Sequence, residues 1–279
     1  MSNSDPKDLV QAASDWWRTS VIDIHPGEID IRGYPVQDLI GQLSFVEMIW
    51  LMTRGDLASR GQAKLLEAAL VASVDHGPHA PSIAIAQMAA SCGIGLNNAM
   101  ASAINVLGDS HGGAGQDCMV IYGGVRERLS QGLSLTEATD RTLDEFVAEK
   151  GKIIPGFGHR FHPVDPRAEP LLSLVREAAE AGIVEGVFVS IGREVEAALK
   201  RRTGKSIPMN IDGATAVIFA ELGFSPEMGR GLFILSRSVG VLAHGWDALQ
   251  SGRRNKGPMP KEIPFTYQGP ARRKFVRPE

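Results

Sequence analysis

From about residue 35 onward, apolar residues recur every three or four positions, and each run is bounded by Gly, Pro, Ser or Asp. That period predicts amphipathic helices. The runs are "PVQDLI", "SFVEMIWLMTRG" and "ASRGQAKLLEAALVASVDHG", then 81–94, 96–107, 114–131, 135–149, 166–181, 185–201, 212–222 and 226–250. The start of the chain differs. Residues 5–18 read as a short helix with Ser4 or Asp5 as its cap. "SVIDIHPGEIDIRGY" (20–34) then alternates apolar and polar residues around Pro26-Gly27, which predicts a small hairpin. No buried strands alternate with helices, so βαβ units are not expected. The expected fold is mainly α: a large helical domain, a small helical domain and a short N-terminal β hairpin. Gly151, Pro155, Gly156 and Gly158 crowd one connection. That places the large domain at 1–151 and 226–279 and the small one at 152–225.

Composition narrows the class. The chain has 279 residues, 43% hydrophobic and 22% charged, within the ordinary range for a globular protein. A net charge of −3 argues against nucleic-acid binding, which favours strongly basic surfaces. Two distant cysteines, Cys92 and Cys118, fit a reducing compartment better than a disulfide scaffold. The start "MSNSDPKDLV" has neither a basic nor an apolar leader segment, and no window reaches about 18 uncharged apolar residues. A cytoplasmic location without membrane contact is therefore expected. The basic C-terminal "ARRKFVRPE" reads as a solvated tail, or as a contact for an anionic ligand or a neighbouring subunit.

Titratable groups gather where helices start or stop. "VDHGPHAPS" carries Asp75, His76 and His79; "GDSHGGAGQD" carries His111 before two glycines. "IIPGFGHRFHPVDPRAEP" (153–170) puts His159, His162, Asp165 and Arg167 on one kinked stretch, and "MNIDGATAV" puts Asp212 near a helix start. Each has a plainer reading. His76 could complement a helix C-terminus, Asp212 could be an N-cap, and His162 before Pro163 could be a turn residue. The histidine spacings lack the i, i+4 pattern with glutamate between, and there is no CxxC, so no metal site is expected. Nor is there a GxSxG or a flanked cysteine to suggest a nucleophile. Proton transfer on an anionic carbonyl substrate remains. Glycines beside His111 allow close backbone approach. A helix opening at "HGGAG" offers N–H groups to an oxyanion or phosphate. Arg167 and Arg237 can hold carboxylates bidentately.

These motifs resemble the citrate synthase superfamily in their order. They run "RGYPVQDL" (32–39), "DHG" (75–77), "HGGA" (111–114), "PGFGHR" (155–160), "DPRA" (165–168), "NIDGATA" (210–216) and "SRSVGVLAHGWD" (236–247). The resemblance covers roughly residues 30–250 and implies a two-domain helical fold and a homodimer or higher homo-oligomer. It implies His111, His159 and Asp212 as the catalytic trio. It also implies His76, Arg167 and Arg237 as ligands of a di- or tricarboxylic acid. Arg167 lies one residue nearer His159 than is usual, which leaves its aim open. An acyl-CoA thioester is the second substrate, with no prosthetic group. Gly112, Gly113, Lys152 and Arg160 are the candidates for CoA contacts.

Two departures bear on the reaction. The chain lacks much of the N-terminal region of a full citrate synthase. Tyr267-Gln268-Gly269 is present, but no Arg-Pro precedes it, leaving Arg253, Arg254 or Lys256 as possible substitutes for a family arginine. Short chains with "PGFGHRFHPVDPRA" look most like citryl-CoA lyases, the stand-alone relatives of the C-terminal module of ATP citrate lyase. The expected activity is cleavage of citryl-CoA, or a close 3-hydroxyacyl-CoA, to acetyl-CoA and oxaloacetate. The alternatives are a compact citrate or 2-methylcitrate synthase and a non-catalytic acyl-CoA-binding homologue. "FVEMIWLM" and "ATAVIFAELGF" have enough apolar face for an ordinary core, or for a core and a dimer contact together.

Overall fold

The computed structural model describes residues 6–159, 162–255, 257, 260, 262–264 and 266–274. The chain is mainly helical, with a small antiparallel sheet near its N-terminus. After α1 (Pro6–Trp16) come β1 (Ile22–His25), β2 (Glu28–Ile31) and β3 (Tyr34–Pro35), hydrogen-bonded in that order. The hairpin turns at Gly27, whose φ of 86° is cheap only for glycine. Its register pairs Ile22 with Ile31 and Ile24 with Ile29, so the isoleucines share one face. The third strand exceeds the two expected. It follows a second turn in which Arg32 takes φ 51°. The Arg32 guanidinium donates to the Ser20 carbonyl and to the Met52 carbonyl in the next long helix.

Three helix starts were written in the sequence as S-x-x-E/Q. α2 (Val36–Leu39) is a single turn; α3 (Phe45–Arg54), α4 (Arg60–Ser73) and α8 (Leu135–Lys150) follow it in the chain. Ser44 with Glu47, Ser59 with Gln62, and Ser134 with Glu137 each form a capping box. Each satisfies two otherwise orphaned groups at a helix N-terminus. α3 ends at Gly55 in the left-handed conformation, the usual helix stop.

The chain divides into two compact units, residues 1–74 with 109–236, and residues 75–108 with 237–279. The expected small domain, 152–225, is not one of these units; it falls inside the first. The first unit is organised around α11 (Ile211–Glu221), which is buried from Gly213 through Phe219. A helix apolar on every side needs neighbours on every side. α4, α7 (Ala114–Ser130), α9 (Ala168–Glu180) and α10 (Val187–Thr203) supply them. Trp50 of α3 joins the same core, edge-on to Phe224 at 5.5 Å between ring centroids. The apolar run of α11 is thus largely spent on the core of one chain, whereas α3 buries only Ile49, Trp50 and Leu51. Exposed apolar side chains remain on α3 itself (Phe45 and Met52) and on α1, the hairpin and α12 (Pro226–Gln250), among others.

The second unit is built on small residues. α5 (Pro81–Ser91), α6 (Leu96–Ile104) and the C-terminal part of α12 share a core of Ala80, Ile83, Ala86, Ala103 and Val241. Alanines let helix backbones approach closely. No described helix is long and apolar enough to cross a membrane.

Candidate active site

Glycine contacts bring the segments that carry His111, His159 and Asp212 close together in the first unit. Gly156 and Gly213 meet backbone to backbone. A Cβ on Gly156 would stand 2.9 Å from the Gly213 Cα and 2.6 Å from the Cys118 sulfur. No side chain fits there. Around this contact the 156–158 loop is stitched to the segment that starts α11. The Asn210 N–H donates to the Gly156 carbonyl (2.9 Å), its side-chain amide to the Gly158 carbonyl (2.6 Å), and the Gly158 N–H to the Pro208 carbonyl (2.7 Å). His159 therefore emerges from a loop fixed against the turn that presents Asp212. Gly115 in the first turn of α7 also lies near the Asp212 carbonyl. His111 sits just before that turn. Gly113 there has no room for a Cβ, which would strike the Asp109 carbonyl at 2.6 Å and the Arg230 guanidinium at 2.9 Å. The N-termini of α7 and α11 thus lie side by side. Both ends carry partial positive charge and favour a developing oxyanion.

Asp212 is not the cap of its helix. Asn210 is, accepting from the N–H groups of Asp212 (2.9 Å) and Gly213 (3.3 Å). His159 is half-buried. Burial depresses its pKa below the ordinary histidine value, the nearby Asp165 charge opposes this, and His162 and Arg167 lower it further. The ring is therefore neutral at pH 7. The His162 backbone N–H donates to His159 Nδ1 at 3.1 Å, which assigns the ring proton to Nε2. The turn reading of His162 thus holds for its backbone, which orients its neighbour.

Asp165, flagged in the sequence without a role, is the pivot of this loop. Its side chain is fully buried. It accepts from Arg167 Nε and Nη2 (both 2.9 Å), from the Arg167 backbone N–H (3.1 Å), and from the Ile211 N–H (3.0 Å). Burial alone would raise its pKa, but the Arg167 and Ile211 donors outweigh that and hold it down at about 2. One carboxylate thus aligns Arg167 and the first turn of α11. Arg167 Nη1 also reaches the Ala72 carbonyl at 3.5 Å. Three of its five N–H donors are engaged among the described residues.

His76 and Arg237 belong to the second unit. His76 is exposed in a turn beyond α4, so it does not complete a helix. Arg237 is buried in α12. His244, seven residues further along α12, is hydrogen-bonded to Asp75 at 3.2 Å and to Gln87 at 3.2 Å. The sequence reading quoted its motif and gave it no role. Of the CoA candidates, Gly112 and Gly113 open α7, Lys152 is exposed beyond α8, and Arg160 lies outside the described residues. Arg253 and Arg254 are exposed, and Lys256 lies outside the described residues. Cys118 is fully buried and its thiol is pushed up by that burial, so it stays protonated and inert.

Comparisons with known proteins place the chain in a family. Residues 52–257 match the family described as citrate synthase, C-terminal domain. The chain belongs to the citrate synthase family, and its fold is citrate synthase-like. Among solved structures it is similar to citryl-CoA lyase from Hydrogenobacter thermophilus, with 32% identity and a TM-score of 0.79. That match covers 93% of this chain and 97% of the other. Among curated proteins it is 29% identical to ATP-citrate synthase subunit 1 of Sordaria macrospora, over 82% of this chain and 35% of that one. It is also 29% identical to a citrate synthase of Acidithiobacillus ferridurans, over 78% of this chain and 54% of the relative. The chain thus spans about a third to a half of the length of these curated relatives. These neighbours support an enzyme of this superfamily.

Proposed function

We propose that the protein is a citryl-CoA lyase-type enzyme, cleaving citryl-CoA or a close 3-hydroxyacyl-CoA to acetyl-CoA and oxaloacetate. The observation that carries the chemistry is the meeting of the His111 turn, the His159 loop and the first turn of α11 in one unit. The likeness to a citryl-CoA lyase over almost its whole length favours cleavage over condensation.

In cleavage, the C3 hydroxyl loses its proton to the unprotonated nitrogen of neutral His159. In the resting tautomer that nitrogen is engaged by the His162 N–H, so the ring turns to use it. The C2–C3 bond then breaks, and its electron pair becomes the enolate of the acetyl thioester. His111 donates to that enolate oxygen, beside the N-termini of α7 and α11. One fixed donor of this kind is worth about 2.7–4 kcal/mol in such reactions. Asp212, protonated in this direction, delivers its proton to C2. The products are acetyl-CoA and oxaloacetate, and no water is consumed. In the reverse direction Asp212 is the base, and the His159 nitrogen that took the hydroxyl proton returns it to the keto oxygen. Proton transfer of this kind contributes about 10²–10⁴-fold.

His76, Arg167 and Arg237 are assigned to the carboxylates of the acid, and Gly112, Gly113, Lys152 and Arg160 to CoA. The related citrate synthase sustains a second reading, condensation of acyl-CoA with oxaloacetate followed by thioester hydrolysis. A paired assay separates the two. Citryl-CoA should yield oxaloacetate, whereas a synthase would release free CoA thiol from acetyl-CoA and oxaloacetate.

Self-association is part of the proposal. Leu235, Val239, Leu242 and Trp246 follow one another at helical spacing along one side of α12, and all are exposed in the single chain. An apolar stripe of that length on a solvent face marks a contact surface.

A further inference from the structure

We propose that His244 is a positioning residue for acid binding, acting through Asp75 on the turn that carries His76. The inference rests on the functional reading above, in which His76 and Arg237 hold the acid. Every contact it uses lies within the second unit.

Asp75 folds back on its own chain. Its Oδ2 accepts the Gly77 N–H at 3.2 Å, and Gly77 takes φ 76°. This closed turn fixes the backbone on both sides of His76. The same Oδ2 accepts from His244 Nε2 at 3.2 Å. On its far side the His244 ring meets the Gln87 side-chain nitrogen, 3.2 Å from Nδ1. An amide nitrogen only donates, so Nδ1 is the acceptor and the proton resides on Nε2, directed at Asp75. Gln87 on α5 thus sets the tautomer, His244 on α12 presents the donor, and Asp75 carries the constraint to the His76 turn.

The other oxygen, Oδ1, is buried with no hydrogen-bond partner among the described residues. The carboxylate therefore depends on its contacts through Oδ2. Burial alone would raise the Asp75 pKa; the His244 and Gly77 donors outweigh it and hold the group ionised. Position on the helix adds to the case. Residues seven apart on an α-helix project from nearly the same side, so Arg237 and His244 share one face of α12. A single helix face then bears an expected carboxylate ligand and the residue that orients the turn bearing another.

The test uses the full chain and three variants, His244→Ala, His244→Gln and Asp75→Asn. Thermal melts monitor the fold of each. The Gln amide nitrogen occupies nearly the place of imidazole Nε2 and keeps the donor. Oxaloacetate is the probe, with calorimetry giving Kd and turnover giving kcat and KM. Imidazole ¹⁵N spectra report the His244 tautomer independently of any ligand. The expected result is an Nε2–H tautomer in the wild type. His244→Ala and Asp75→Asn should each weaken oxaloacetate binding about tenfold while kcat changes less than about threefold, and His244→Gln should recover most of the affinity. An Nδ1–H tautomer, unchanged affinity in His244→Ala, or a Gln variant as weak as the Ala variant would each overturn the role. If the wild type does not bind oxaloacetate at all, the functional reading falls and this role falls with it. An Nε2–H tautomer in the same spectra would then show that the failure lies in the ligand and not in the Asp75–His244 contact.

Discussion

Asp165→Asn removes one negative charge from a fully buried side chain and leaves its shape almost unchanged. In the wild type that carboxylate holds Arg167 by two side-chain bonds and also accepts the Ile211 N–H. Its pKa of about 2 lies below the ordinary 3.8. At 1.36 kcal/mol per pH unit, the difference corresponds to about 2–3 kcal/mol of stability at neutral pH. A carboxyl depressed on folding contributes fully above its unfolded pKa. The contribution is lost as pH falls towards the folded one. The wild-type advantage over Asp165→Asn should therefore be about 2–3 kcal/mol at pH 6 and about half of that at pH 3. Asp165→Ala should cost more, about 3–5 kcal/mol, because it also leaves the Arg167 guanidinium and the Ile211 N–H unpaired. Urea unfolding of the three proteins at both pH values measures this. Equal stability of wild type and Asp165→Asn at pH 6, or a gap that does not shrink at pH 3, would refute the reasoning.

Other consequences follow from the same geometry. Gly213→Ala places a Cβ against the Gly156 carbonyl and should cost about 1–3 kcal/mol in unfolding free energy, with turnover falling at least tenfold. A stable, fully active variant would mean the two loops have slack. His159 is held below the ordinary histidine pKa, so it stays neutral as pH falls through 6.5. The acid limb of kcat/KM should therefore lie below pH 6.5, and a limb above that value would contradict the assignment. Val239→Glu with Trp246→Glu puts charge on the exposed stripe of α12. By sedimentation it should shift the protein to monomer, and an unchanged mass would remove the stripe from any interface.

Much of the architecture was legible because it is local. Helical periodicity and the Pro26-Gly27 turn need only neighbouring residues to be read; the three capping boxes are equally local but were not singled out. The third strand was missed because Tyr34–Pro35 is too short for a period-two signal. The expected trio was carried by motifs, but the meeting of its segments was not legible. It depends on Gly156 meeting Gly213 at a separation of 57, and on Gly115 meeting the Asp212 carbonyl. The same limit hid the supporting residues. Asp165 reaches Ile211 46 positions away, and Asp75 reaches His244 at a separation of 169. Asn210 was the one signal within reach, since asparagine two residues before Asp212 is a favoured cap. The apolar run in α11 looked in excess of one core, because periodicity does not tell how many neighbours a helix has. α11 uses nearly all of its surface inside one unit.

The central claim is tested most directly by giving the purified protein citryl-CoA in one vessel and acetyl-CoA with oxaloacetate in another. A coupled dehydrogenase follows oxaloacetate in the first, and a thiol reagent follows CoA in the second. The expected result is oxaloacetate from citryl-CoA and no free thiol in the second vessel. Thiol release there would contradict the lyase assignment and make the protein a synthase, and silence in both would contradict the assignment of the acid.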